Sequence, residues 1–176
     1  SATRIAKWDG ASWGPLGKGM NRDVYTLTAF NGELIAGGDF YTAGGVFANY
    51  IAKWNGASWA VLGSGTDGSV LALTVLDGEL IAGGSFTTAG GVTANCVAKW
   101  DGASWAPLGS GIRDVVNVPC VLDLTVYNDD LIVGGRFSSA GGRPSYYWAR
   151  WGCEVCRGDL NCDGVVSFDD INPFVL

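Results

Sequence analysis

The 176-residue chain contains no histidine. That absence removes the commonest general base and metal ligand, and with it the Ser-His and Cys-His nucleophile pairs. Cations are few. Eleven Lys and Arg against 17 Asp and Glu give a formal charge of −6, and the basic residues form no cluster. Nucleic acid and anionic membranes both call for a basic patch, so neither is expected as a partner. No apolar run approaches the roughly 20 residues of a spanning helix. No secretory signal is present, although a mature secreted chain would have lost one, and no Asn-x-Ser/Thr acceptor occurs. Proline is sparse at 5 residues while glycine reaches 28, about twice its usual share. This is the composition of a turn-rich folded protein.

What the chain does have is repetition. IAKWDGASWGPLG starts at Ile5, IAKWNGASWAVLG at Ile51 and VAKWDGASWAPLG at Val97, and a shorter WARWG starts at Trp148. The first two intervals are 46 residues (5 to 51, 51 to 97) and the third is 51 (97 to 148). A period of this size marks units that bury their apolar faces only against their neighbours.

Each copy carries two hairpin signals. Asp9-Gly10, Asn55-Gly56 and Asp101-Gly102 read as two-residue type I′ turns, which would set Trp8 opposite Ala11 and Ala6 opposite Trp13. Asn31-Gly32 and Asp77-Gly78 read as a second set, with Asn128-Asp129 as a weaker third. A full unit is then four short strands, Val24–Phe30, Glu33–Phe40, Ile51–Trp54 and Ser58–Leu62 in the first copy. The first two are apolar on both faces, so Leu27, Leu73 and Leu124 are expected to be sandwiched between neighbouring sheets, as in a propeller blade. The pairs Gly37-Gly38, Gly83-Gly84 and Gly134-Gly135 would let backbones crowd near a central axis, and a second set, Gly44-Gly45, Gly90-Gly91 and Gly141-Gly142, lies in the loop to strand three.

An apolar strand ending in Gly-Gly and followed by a spaced Trp resembles the kelch-like β-propeller repeats of secreted bacterial proteins. The resemblance covers about residues 1–152. It implies an all-β fold of four-stranded blades, and a binding or scaffolding surface without fixed chemistry. The expected count is about three full repeats plus a half blade at strand three, fewer than the 4–8 blades of a closed propeller. Further blades upstream or on other chains would then complete a ring or a filament. A β-trefoil or β-prism, both common lectin frames, would also accommodate three repeats of four strands.

Residues 153–176 read as a separate, Cys-rich segment with a small loop-and-helix character. From Asp159 to Asp170 oxygen side chains fall on loop positions 1, 3, 5, 9 and 12, with Gly164 at 6 and Val166 at 8. That is the calcium-loop spacing of an EF-hand, in which Val165 supplies its carbonyl. The segment is similar to one half of a dockerin. The resemblance makes Asp159, Asn161, Asp163 and Asp170 side-chain ligands of Ca2+, Ser167 a direct or water-mediated one, and a cohesin-like protein a partner. A single loop and Pro173 within the expected second helix depart from that pattern.

The five cysteines are an odd number. Cys153, Cys156 and Cys162 offer three thiols where a structural zinc site wants four ligands, which favours a disulfide within the trio. Cys96 and Cys120 precede strands at the same end of adjacent blades, so a bridge between them is topologically reasonable. Oxidised cysteines and a weak calcium loop point to a secreted or cell-surface protein. The Trp residues read as packing, with Trp148 and Tyr146-Tyr147 as candidates for stacking on a sugar.

No catalytic constellation emerges. Gly10-Ala11-Ser12-Trp13-Gly14 matches a nucleophile elbow but sits in a hairpin. Asp129-Asp130 are neighbours that point to opposite faces of a strand, where a glycosidase needs two acids facing across a cleft. The reading is therefore a non-enzymatic extracellular structural or adhesive module that assembles with itself or with further blades. The alternatives are a glycan-binding module or a cohesin-directed anchor.

Overall fold

The computed structural model describes residues 3–116 and 118–152. The expected calcium ligands and Cys153, Cys156 and Cys162 lie outside the described residues. Within them the chain is all β. Strands β1 (Ala6–Trp8) and β2 (Trp13–Pro15) form a two-stranded half blade. The first blade contains β3 (Val24–Phe30), β4 (Glu33–Gly38), the short pair β5 (Thr42–Ala43) and β6 (Val46–Phe47), then β7 (Ile51–Trp54) and β8 (Trp59–Val61). The second repeats this as β9 (Val70–Leu76), β10 (Glu79–Gly84), β11 (Thr88–Ala89), β12 (Val92–Thr93), β13 (Val97–Trp100) and β14 (Trp105–Pro107). The third contains β15 (Ile112–Arg113), β16 (Cys120–Tyr127), β17 (Asp130–Arg136), β18 (Ser139–Ala140), β19 (Arg143–Pro144) and β20 (Trp148–Trp151).

The first two blades are four-stranded antiparallel sheets, ordered β3-β4-β7-β8 and β9-β10-β13-β14, and the third is β16-β17-β20. The hairpins between strands one and two follow the expectation from sequence. Asn31-Gly32, Asp77-Gly78 and Asn128-Asp129 all have positive φ at both positions, the backbone of a type I′ turn, even without glycine in the third copy.

The hairpin between strands three and four departs from it. Trp8 pairs with Trp13, Trp54 with Trp59 and Trp100 with Trp105, so the loop has four residues, Asp9 to Ser12 in the first copy. The cause is the side chain at its first position. Asp9 Oδ1 accepts from the amides of Ala11 and Ser12 at 2.9 and 2.8 Å, closing an Asx-type turn that competes with the tighter one. Asn55 and Asp101 do the same. The two indoles then lie face to tilted face, with centroids 5.4–5.5 Å apart in all three copies.

Blades stack through their faces. β9 packs on β3 and β4, and β16 packs on β9 and β10. The second blade sends Val70, Leu73, Leu80 and Ala82 toward Phe30, Ile35 and Ile51 of the first. On its other side Ala72, Ile81 and Val97 meet Val121, Leu124, Leu131 and Val133 of the third. The strand-two glycines make this approach possible. A Cβ on Gly37 would lie 2.6 Å from Val70 Cγ1, and one on Gly83 would lie 2.4 Å from Val121 Cγ1. The crowding is thus against the next blade's first strand.

The expectation that Leu27, Leu73 and Leu124 are all sandwiched holds for only two of them. Leu73 and Leu124 are 8% and 6% exposed, but Leu27 is 49% exposed. Among the described residues only the half blade covers the first blade's outer side, and it reaches Ala36, Ala52 and Trp54 without reaching Leu27.

Indoles also latch one unit to the one before. Trp59 Nε1 donates to Leu16 O at 3.0 Å, and Trp105 Nε1 to Leu62 O at 3.1 Å. Strands two and three are tied by an ion pair at one repeat position, Lys53–Glu33, Lys99–Glu79 and Arg150–Asp130, at 2.8, 2.9 and 2.6 Å.

Candidate functional site

The third blade is where the repeat breaks its own rules. In the first two blades one acceptor clasps the loop after strand two. Asn21 Oδ1 accepts from the amides of Tyr41 and Thr42, and Asp67 Oδ1 from those of Thr87 and Thr88. Burial alone would raise the Asp67 carboxyl. The Thr87 hydroxyl and the two amides outweigh it and hold the group below the ordinary carboxylate value. The corresponding position in the third copy is Arg113, which cannot accept. Its backbone instead extends into β15, which pairs with β18.

The five additional residues of the 51-residue interval follow at once. Val115, Val116 and Val118 are exposed, and Arg136 donates through Nε and Nη2 to Val118 O at 3.3 and 3.0 Å. Between this segment and the β19–β20 connection lies an open groove of about 620 Å³. Val115, Val116, Phe137 and Pro144 supply its apolar lining, Arg136, Ser138 and Ser139 its polar groups, and Tyr146 and Tyr147 its rim. The phenol-bearing pair expected to be available for stacking is indeed exposed here, at 64% and 67%. The signal for the groove in the sequence was the longer third interval.

Trp148 is not part of that lining. It occupies the repeat position of Ile51 and Val97, which are buried at blade-to-blade contacts, yet it is 63% exposed. Tyr127, which matches Phe30 and Leu76, is likewise exposed on the same outer face. Gly134 matches Gly37 and Gly83, but a Cβ there would meet nothing closer than Asp123 Cβ at 4.0 Å. The outer face of the third blade therefore has the layout of a stacking face without a blade against it among the described residues. The outer face around Leu27 is its counterpart, next to β1, which among the described strands pairs only with β2.

The other sequence candidates lie elsewhere. Ser12 is in the exposed Asp9 hairpin, where its hydroxyl donates to Asp9 Oδ2 at 3.1 Å. Asp130 is buried against Arg150, while Asp129 forms the turn. Cys96 and Cys120 are both buried and stand as free thiols.

A family model described as a domain of unknown function, DUF5122, β-propeller, matches residues 76–99. That stretch runs from the last residue of β9 into β13. The chain thus contains β-propeller-like repeats. No curated protein sequence matches it. Among solved structures it is similar to the computationally designed Ika8 protein, at 14% identity and a TM-score of 0.43, over 74% of this chain and 35% of that one. The chain spans about a third of that protein's length.

Proposed function

We propose that the chain is a non-enzymatic structural or adhesive module that works by recruiting further blades. The occupant of the face around Leu27 is the outer face of the third blade of a second copy, where Gly134 and Trp148 stand. The observation that carries this reading is the repeated interface. It is used twice inside the chain, and among the described residues its positions stand uncovered on both outer faces, at Leu27 on one and at Gly134 and Trp148 on the other. An open strand edge beside an apolar face recruits strands from other chains, and a head-to-tail contact of this kind builds a ring or a filament. Negative-stain images of the ligand-free protein should contain such assemblies. Uniform single particles of one chain's size would refute the reading.

A kelch-like character, a secreted or cell-surface location and a calcium-stabilised segment belong to the same proposal. Calcium would be held by Asp159, Asn161, Asp163, Val165, Ser167 and Asp170, whose spacing suits a hard oxygen-liganded ion. Calorimetry at millimolar calcium should register uptake, and chelation should leave the blades folded because they bury their own core.

A second reading rests on the groove. Exposed Tyr146 and Tyr147 beside Arg136, Ser138 and Ser139 combine stacking surfaces with hydrogen-bonding groups, as a glycan requires. A glycan-array signal lost in Tyr146→Ala/Tyr147→Ala would favour it over self-assembly alone.

A further inference from the structure

The same two repeat positions recur at three blade junctions. The first position immediately precedes strand three and is Arg4, Tyr50 and Cys96 in successive units. The second precedes the first strand's valine (Val24, Val70 or Val121) in the following blade and is Asp23, Ser69 and Cys120. Arg4, Tyr50 and Cys96 all hold φ between 66° and 71°, so the backbone at the first position is the same in each. At the first junction the two side chains touch, since the Arg4 guanidinium is paired with the Asp23 carboxylate. At the last junction both members are cysteine.

We infer that Cys96 and Cys120 form a disulfide staple between the second and third blades. The Cys96 thiol already lies 3.4 Å from Pro119 O. That oxygen belongs to the peptide unit that carries the Cys120 nitrogen, so the sulfur sits against the Cys120 backbone. Arg136, which pairs with Cys120 across the β16–β17 ladder, ties down Val118 and so fixes the approach to Cys120. Both thiols are shielded from water, which marks a structural bridge and not an exposed redox sensor. This staple is separate from the assembly proposed above and stands or falls without it.

Oxidation removes one hydrogen from each thiol and forms one S–S bond. The two electrons and two protons pass to a disulfide oxidant of the glutathione class, which leaves as two thiols. Burial, followed by the charge of a Cys120 thiolate and of Asp67, pushes the Cys96 thiol up to about 11. The nucleophilic thiolate is therefore scarce at neutral pH, and bridging from the folded dithiol state should accelerate by up to tenfold per pH unit between pH 7 and 9.

The test is peptide mapping of the full chain after equilibration with oxidised and reduced glutathione, alkylation and trypsin digestion without reduction. Tryptic peptides 54–99 and 114–136 each contain one cysteine. They should migrate as one linked species that reductant separates, and reduction should lower the thermal midpoint by about 5–10 °C. Two fully alkylated peptides, or either one linked to a cysteine of 153–162, would overturn the inference. The equivalent pair of positions one junction back is Tyr50 and Ser69. Tyr50→Cys/Ser69→Cys in a Cys96→Ser/Cys120→Ser background should link peptides 23–53 and 54–99. A natively folded variant without that link would count against equivalence of the junctions.

Discussion

Leu27 and Leu73 hold the same place in two nearly identical strands, yet one is 49% exposed and the other 8%. Nothing in their own hairpins accounts for this. Both follow a positive-φ-closed ladder, and both lie opposite an alanine of strand two, Ala36 or Ala82. The difference is the neighbour. The second blade is packed on both faces, whereas among the described residues the first has only a two-stranded partner on its outer side. In a stacked repeat, burial belongs to the junction between units, and a residue's own sequence fixes only which junction it faces.

The largest effect that could break this comparison is a cavity. Leu73→Ala should lose about 2–5 kcal/mol of stability in chemical denaturation, as a packed interior site does, while Leu27→Ala in dilute protein should lose less than about 1 kcal/mol. Equal losses would mean that the two faces are covered alike.

Next in size is crowding. Gly83→Ala brings a methyl to 2.4 Å from Val121 Cγ1 and should cost about 1–3 kcal/mol by overpacking. Gly134→Ala has room and should be close to neutral in dilute protein. If assembly covers that face, Gly134→Ala should instead weaken association, which sedimentation of both variants would register.

Much of this architecture was legible in the sequence. The Asn31-Gly32 and Asp77-Gly78 turns and the strands they join follow from local rules that hold wherever such residues sit. The Asp9-Gly10 loop was misjudged because the aspartate has two options. It can turn tightly with its glycine, or cap amides two and three residues on, and the second gave Trp8 a tryptophan partner in place of an alanine. The β5–β6 and β11–β12 pairs went unseen, since two-residue strands around Gly44-Gly45 or Gly90-Gly91 leave no alternation to detect. The groove was announced only by the longer third interval. Its lining depends on Arg113 standing where Asn21 and Asp67 clasp a loop, a contrast that carries meaning only once those side chains are seen to accept hydrogen bonds.

The smallest expected effect concerns that clasp. Asp67 titrates below its ordinary value in the fold, so its contribution is present above the unfolded value of 3.8 and lost as pH falls through the lower folded one. Asp67→Asn, which restores the residue type of position 21, should leave neutral-pH stability within about 1 kcal/mol, given its exposure. It should also flatten the acid limb of the thermal midpoint below about pH 4. An unchanged acid limb would place the lability in other carboxylates.

The central claim is that the uncovered faces are joints awaiting another blade. Size-exclusion chromatography with light scattering, run across micromolar concentrations on the full chain, tests it most directly. The account predicts a mass that rises above the 18.3 kDa of one chain as concentration increases, and that Gly134→Leu holds at one chain. A well-folded species that stays at 18.3 kDa throughout would contradict it.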